Sequence, residues 1–77
     1  MDFYQEIKDI LINQMEVEGE IKESTSFTEE LNIDSIEIVE LKQNINEKFK
    51  VNISLNEILK CDNINDVVEC IKNIKKN

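Results

Sequence analysis

Apolar residues recur along this chain at three- and four-residue steps, the spacing that places side chains on one face of an α-helix. Phe3, Ile7, Ile10, Leu11 and Met15 predict a first helix over about residues 2 to 15. The pattern breaks between residues 16 and 33, a stretch holding the one glycine, Gly19, and the Ser-Thr-Ser cluster at 24–26. It reads as a long loop anchored by Ile21, Phe27 and Leu31, and loops of that length in compact domains usually carry function. The helical period then returns. Asp34 is a good N-cap and Glu37 stands three residues later, a capping-box arrangement, so a second helix is expected from Ser35 to about Lys50. Asn52 and Ser54 can open a short helix across Leu55–Leu59. Asp62 or Asn63 caps a last one, with Ile64, Val67, Val68, Ile71 and Ile74 as its inner stripe. Val51, Asn52 and Ile53 alternate, but three residues make no sheet. The expected fold is all-α: a small four-helix bundle of three main helices and a short third, one domain over residues 1–77, with a long loop between helices one and two.

The second helix has more apolar surface than a core requires. At about 100° per residue, Ile38, Leu41, Ile45 and Phe49 fall in one narrow arc that can dock the helix. Ile36 and Val39 lie on the other side, with Gln43 between them and Glu40 and Glu47 flanking. An apolar pair among carboxylates is a candidate contact surface; the alternative is that the long loop covers one of them. Ser35 stands where loop meets helix. A helix N-terminus offers unpaired N–H groups and a partial positive charge, which favour a phosphate held there, although a serine at this place commonly only starts the helix. The chain has no His to act as a base, so a reacting Ser35 needs another protein to activate it.

Composition narrows the classes. With 40% hydrophobic and 34% charged residues the chain is a folded domain, but 77 residues are too few for a deep enzyme pocket of its own. Nine lysines against seventeen acids give −8, which excludes nucleic acid as a partner and favours basic protein surfaces. Residues 1–47 hold thirteen acids and three lysines, a net −10, whereas 48–77 hold four acids and six lysines, a net +2. A working face is therefore expected in the first part. The start has no basic, apolar signal pattern, and no run is long enough for a membrane span, so a cytoplasmic monomer is expected. Cys61 and Cys70, nine apart and without His, match no zinc motif and read as reduced, small hydrophobic residues. Glu16, Glu18, Glu20 and Glu23 lack the pattern of a calcium loop and read as solvated, so no metal is expected.

The run FTEELNIDSIEIVELKQNINEKF, residues 27 to 49, closely resembles the acyl carrier protein family. That family's pattern is Leu-Gly-x-Asp-Ser-Leu, then a Val-Glu-Leu triplet and an aromatic residue closing helix two. Here Asp34-Ser35-Ile36, Val39-Glu40-Leu41 and Phe49 stand at the matching positions. The resemblance covers essentially the whole chain, since length, long first loop, short third helix and acidity all fit. It implies a non-catalytic carrier whose Ser35 bears a covalent 4′-phosphopantetheine, attached from coenzyme A by a separate phosphopantetheinyl transferase. The arm's terminal thiol holds acyl groups as thioesters. Asp34, Ile36, Glu37, Val39, Glu40, Gln43 and Glu47 become the expected recognition face for the transferase and for acyl-transferring, synthase and tailoring enzymes with basic docking patches. Asn32 replaces the family's usual Gly and Ile36 its Leu; Asn tolerates a left-handed backbone and Ile keeps the apolar anchor. Gln43, where carriers of primary fatty acid synthesis tend to be apolar, and Asn46 and Lys48, where they are more acidic, leave fatty acid and polyketide pathways both open. The alternatives are a freestanding aminoacyl or peptidyl carrier, whose usual motif is Gly-Gly-x-Ser, and an adaptor with an unmodified Ser35.

Overall fold

The computed structural model describes residues 2–75; Met1, Lys76 and Asn77, part of the expected 1–77 domain, lie outside them. Four α-helices, the first running on into a π-helical segment, and no strand occur among the described residues. The first, α1, spans Phe3–Asp9 and is capped by Asp2, whose carboxylate accepts from the Gln5 N–H at 3.1 Å. It does not continue to residue 15 as an α-helix. Over Ile10–Gln14 it widens into a π-turn: the Met15 N–H reaches back five residues to the Ile10 carbonyl (3.1 Å), and the Val17 N–H six residues to Leu11 (2.8 Å). Glu16 then turns the chain away at φ +55°. The wide closure lets Met15 and Val17 both pack against the core. In a continuing α-helix, residues two apart point about 200° apart, and one of the pair would face water.

Helix α2 spans Ser35–Phe49 and buries Ile38, Leu41, Ile45 and Phe49, the arc its periodicity predicts. Phe49 also meets the edge of the Phe3 ring, with centroids 5.4 Å apart. Lys50 closes α2 in the left-handed conformation (φ 58°). The link to α3 (Leu55–Leu59) is held by Asn46, whose side-chain amide donates to the Ile53 carbonyl at 3.2 Å and accepts from the Ile53 N–H at 2.8 Å. One side chain thus satisfies both backbone groups of Ile53, as a neighbouring strand would. Ser54, not Asn52, caps α3 in a capping box with Glu57. Asn63 caps α4 (Ile64–Lys75), accepting from the Asp66 N–H at 2.9 Å. Of the expected inner stripe, Ile64, Val67 and Ile71 are buried, while Val68 and Ile74 are half-buried at its edges.

The long loop between helix one and α2 is folded down onto the bundle. Ile21 and Phe27 are buried as expected, but Leu31 is only half-buried, and Ile33 is the third deep anchor. The reason is a backbone bond from the Ile33 N–H to the Phe27 carbonyl (2.9 Å), which turns Ile33 inward; Asn32 before it takes the left-handed conformation (φ 54°). Polar cross-links hold the rest: the Tyr4 hydroxyl donates to the Ile21 carbonyl (2.8 Å), and the Asn65 N–H to the Glu23 carbonyl (3.1 Å). Among the described residues no helix is long and apolar enough to cross a membrane.

Candidate functional site

The first turn of α2 is organised by two local hydrogen bonds. The Asp34 carboxylate accepts from the Glu37 N–H at 2.8 Å, and the Glu37 carboxylate accepts from the Asp34 N–H at 3.1 Å. This reciprocal cap fixes the helix start and turns the Asp34 charge toward the backbone. Ser35 is the first residue of the helix and is exposed. Its hydroxyl stands at the positive end of the α2 dipole, where first-turn N–H groups have no partner within the helix.

From Ser35 the expected recognition residues run along one side of α2. Ile36 is 79% exposed, an unusual state for a large aliphatic residue, and Glu40, Gln43 and Glu47 are exposed. They lie about half a turn around the helix from the buried arc. Glu37 and Val39 are half-buried. The structure brings Asp34, Ser35 and Ile36 together at the loop end of α2, with the carboxylates further along.

A cleft of about 340 Å³ opens beside Ser35, between the start of α2 and the far end of α3. Ile38, Ile58 and Leu59 form its apolar wall, and Thr28, Asp34 and Asp62 its polar rim. Sequence reading missed this wall. The available signal was α3 itself, apolar at Leu55, Ile58 and Leu59 although a five-residue helix buries only Ile58; Leu55 and Leu59 stay 46% and 53% exposed. Cys61 also lines the cleft, and burial, then the charges of Cys70, Asp66 and Glu57, push its thiol up to about 11. It therefore stays protonated at neutral pH and does not compete as a nucleophile.

Asp62 ties the loop to this rim. Its carboxylate accepts from the Ser26 hydroxyl at 2.7 Å and the Thr28 hydroxyl at 3.1 Å, and its carbonyl accepts from the Phe27 N–H at 2.7 Å. The Ser26 bond holds the Asp62 carboxyl below the usual aspartate range, with slight burial opposing and Thr28 adding to the lowering. Ionised Asp62 therefore stabilises the folded state above about pH 4, and this is lost as pH falls through its lowered folded value. Asp62→Asn should melt below the wild type at pH 7, and the difference should shrink as pH falls from about 4 toward 2. Thermal melts across that range check it; a difference independent of pH would mean that charge plays no part in the clamp.

Among the described residues no three His, Cys, Asp or Glu side chains come together as metal ligands, and the acids at 16, 18, 20 and 23 are exposed. The chain has no His to pair with Ser35, and the carboxylates beside it, Asp34 and Asp62, are taken up in hydrogen bonds of the cap and the loop. The site does fit a phosphate ester: an exposed hydroxyl, a helix N-terminus behind it, and an apolar cleft alongside.

Comparison with known proteins gives the family. Residues 5–71 match the family described as "Phosphopantetheine attachment site". Proteins named "Acyl carrier protein" are similar over almost their whole lengths. That of Campylobacter hominis is 35% identical over 78 residues, covering 100% of this chain and 99% of that protein. Those of Helicobacter hepaticus and Chlamydia muridarum are 36% and 37% identical over 73 residues, covering 94% of this chain and 96% and 95% of theirs. Fold, site and likeness together define a phosphopantetheine-bearing carrier rather than a catalyst. The chain belongs to the acyl carrier protein family.

Proposed function

We propose that Ser35 is the attachment point of the 4′-phosphopantetheine arm and that the carrier presents acyl intermediates to enzymes of fatty acid or polyketide-type synthesis in the cytoplasm. The observation that carries this reading is the exposed Ser35 hydroxyl at the capped start of α2, followed by the outward Ile36. The arm supplies a terminal thiol that holds acyl groups as thioesters. The chain's own part is to hold and present. The α2 N-terminus favours the phosphate charge, Asp34 keeps the first turn rigid, and the wall of Ile38, Ile58 and Leu59 gives an apolar surface next to the attachment point. The carboxylates nearest Ser35, those of Asp34 and Asp62, are engaged in the hydrogen bonds of the cap and the loop, and a separate transferase supplies the base for the serine proton.

Intact-mass measurement after incubation with coenzyme A and a broad-specificity phosphopantetheinyl transferase tests the attachment. Loading of the product by a malonyl-transferring enzyme, rather than by an aminoacyl-adenylating one, tests the cargo class. If the first succeeds and only aminoacyl loading follows, the peptide-carrier alternative replaces the acyl reading.

The α2 face should set encounter rates. Glu40→Lys with Glu47→Lys should slow association with the transferase about tenfold at low salt and flatten its salt dependence, because the attraction being reversed is long-range. Ile36→Ala should instead raise the off-rate about tenfold, as expected for loss of an exposed side chain buried on docking. All three positions are exposed, so circular dichroism melts should barely move. Stopped-flow association at two ionic strengths separates the effects; unchanged rates in both variants would place the docking face elsewhere.

A further inference from the structure

A groove of about 690 Å³ lies between the start of α1, the long loop and α4, and shares no residue with the Ser35 cleft. Its apolar walls are Phe3, Tyr4 and Val68, all half-buried. Val68 belongs to the α4 stripe, yet the core uses only Ile64, Val67 and Ile71 at full depth. The apolar arc of α4 is thus wider than the bundle buries, and Val68 of this surplus faces the groove. The walls are held in place: Tyr4 bonds the Ile21 carbonyl, Asn65 bonds the Glu23 carbonyl, and Phe3 packs edge-on against Phe49.

Its charge is lopsided. Among the described residues that line it, Asp2, Glu23 and Glu69 stand against Lys72, and the Lys8 ammonium lies 5.7 Å from the Tyr4 ring centroid. Asp2 already caps α1, but among the described residues neither Glu23 nor Glu69 has a lysine within ion-pair distance. Apolar walls bordered by unpaired carboxylates complement an aliphatic side chain next to a guanidinium or ammonium group. We propose that this groove is a second docking site, which takes a protein segment presenting Arg or Lys beside Leu, Ile or Val. A partner bound there holds the carrier while leaving Ser35, Ile36 and the α2 carboxylates free for another enzyme. The proposal does not depend on Ser35 being modified.

The probe is a capped hexapeptide of alternating arginine and leucine, titrated into the full-length ¹⁵N-labelled chain, with an arginine–serine hexapeptide as control. The expected result is amide shifts at residues 2–4, 23, 65 and 68–72, much weaker with the serine peptide. Glu23→Lys with Glu69→Lys should raise the Kd about tenfold. Lys72→Glu, which reverses the lysine lining the groove, should lower the Kd several-fold, a gain that unfolding cannot mimic. Four outcomes would overturn the proposal. Shifts confined to α2 would mean that the peptide reads only net charge. Equal shifts with the serine peptide would remove the apolar component. Groove shifts that appear on concentrating the protein alone would make the occupant a second copy. No shift at millimolar peptide would leave the groove without this ligand.

Discussion

Ser35→Ala should fold like the wild type and accept no phosphopantetheine at all. The cap of α2 is Asp34, not Ser35, so loss of an exposed first-turn hydroxyl should cost under about 1 kcal/mol. The other serines are poor substitutes for structural reasons. Ser26 is buried and donates to Asp62, Ser54 is engaged as the cap of α3, and Ser24 lies in the loop with no helix start behind it. Asp34→Ala is the informative companion. It removes the 2.8 Å bond to the Glu37 N–H and with it half of the reciprocal cap, at a cost of about 1 kcal/mol, but leaves the nucleophile in place. Modification should be slowed, not abolished. Intact-mass spectra of wild type, Ser35→Ala and Asp34→Ala after transferase treatment decide the matter, with circular dichroism melts alongside. An adduct that survives Ser35→Ala would move the attachment to another residue, and none on the wild type would favour the adaptor with an unmodified Ser35.

What could be read in advance follows a physical divide. Helix α2 was legible because its determinants are local: the Asp34–Glu37 cap spans three residues, and the buried arc repeats at helical spacing. The chemistry proposed for Ser35 is not legible from physics alone, since a serine at a helix start is ordinary; the resemblance of its neighbours carries that step. The contacts that shape the rest are long-range. Ser26 meets Asp62 across 36 residues, Thr28 meets the same carboxylate across 34, and Tyr4 reaches Ile21 across 17. No periodicity announces such pairs. Asn46 illustrates the point at shorter range. In the sequence it is one polar residue among several on α2; in the fold it bonds both backbone groups of Ile53. The π-turn was equally hidden, because apolar spacing at 7, 11 and 15 suits either helix, and only the packing of Val17 selects the wider one.

Phe27→Ala should be the most destabilising single change in the long loop. The ring is fully buried, and its backbone is tied on both sides, by the N–H to Asp62 at 2.7 Å and by the carbonyl to Ile33 at 2.9 Å. A backbone held in this way cannot collapse into the hole the ring leaves, so the cost should fall in the range of about 3–5 kcal/mol for a buried aromatic. A domain of 77 residues has a total stability of about 4–12 kcal/mol. The variant should therefore be marginal or largely unfolded at 37 °C. Ser26→Ala, which removes one bond to the Asp62 carboxylate, should cost only about 1–2 kcal/mol, and Phe27→Leu less than about 2 kcal/mol. The chain has no Trp, so urea unfolding is best followed by circular dichroism at the helix band. The midpoint should drop in the order Ser26→Ala or Phe27→Leu, then Phe27→Ala, with little change in slope. Ser35 modification should fall with the folded fraction and recover when sulfate restores folding, because Phe27 does not line the Ser35 cleft. A Phe27→Ala protein as stable as Phe27→Leu would show that the loop does not depend on this ring. One that refolds in sulfate yet stays unmodified would show that Phe27 also sets the geometry at Ser35.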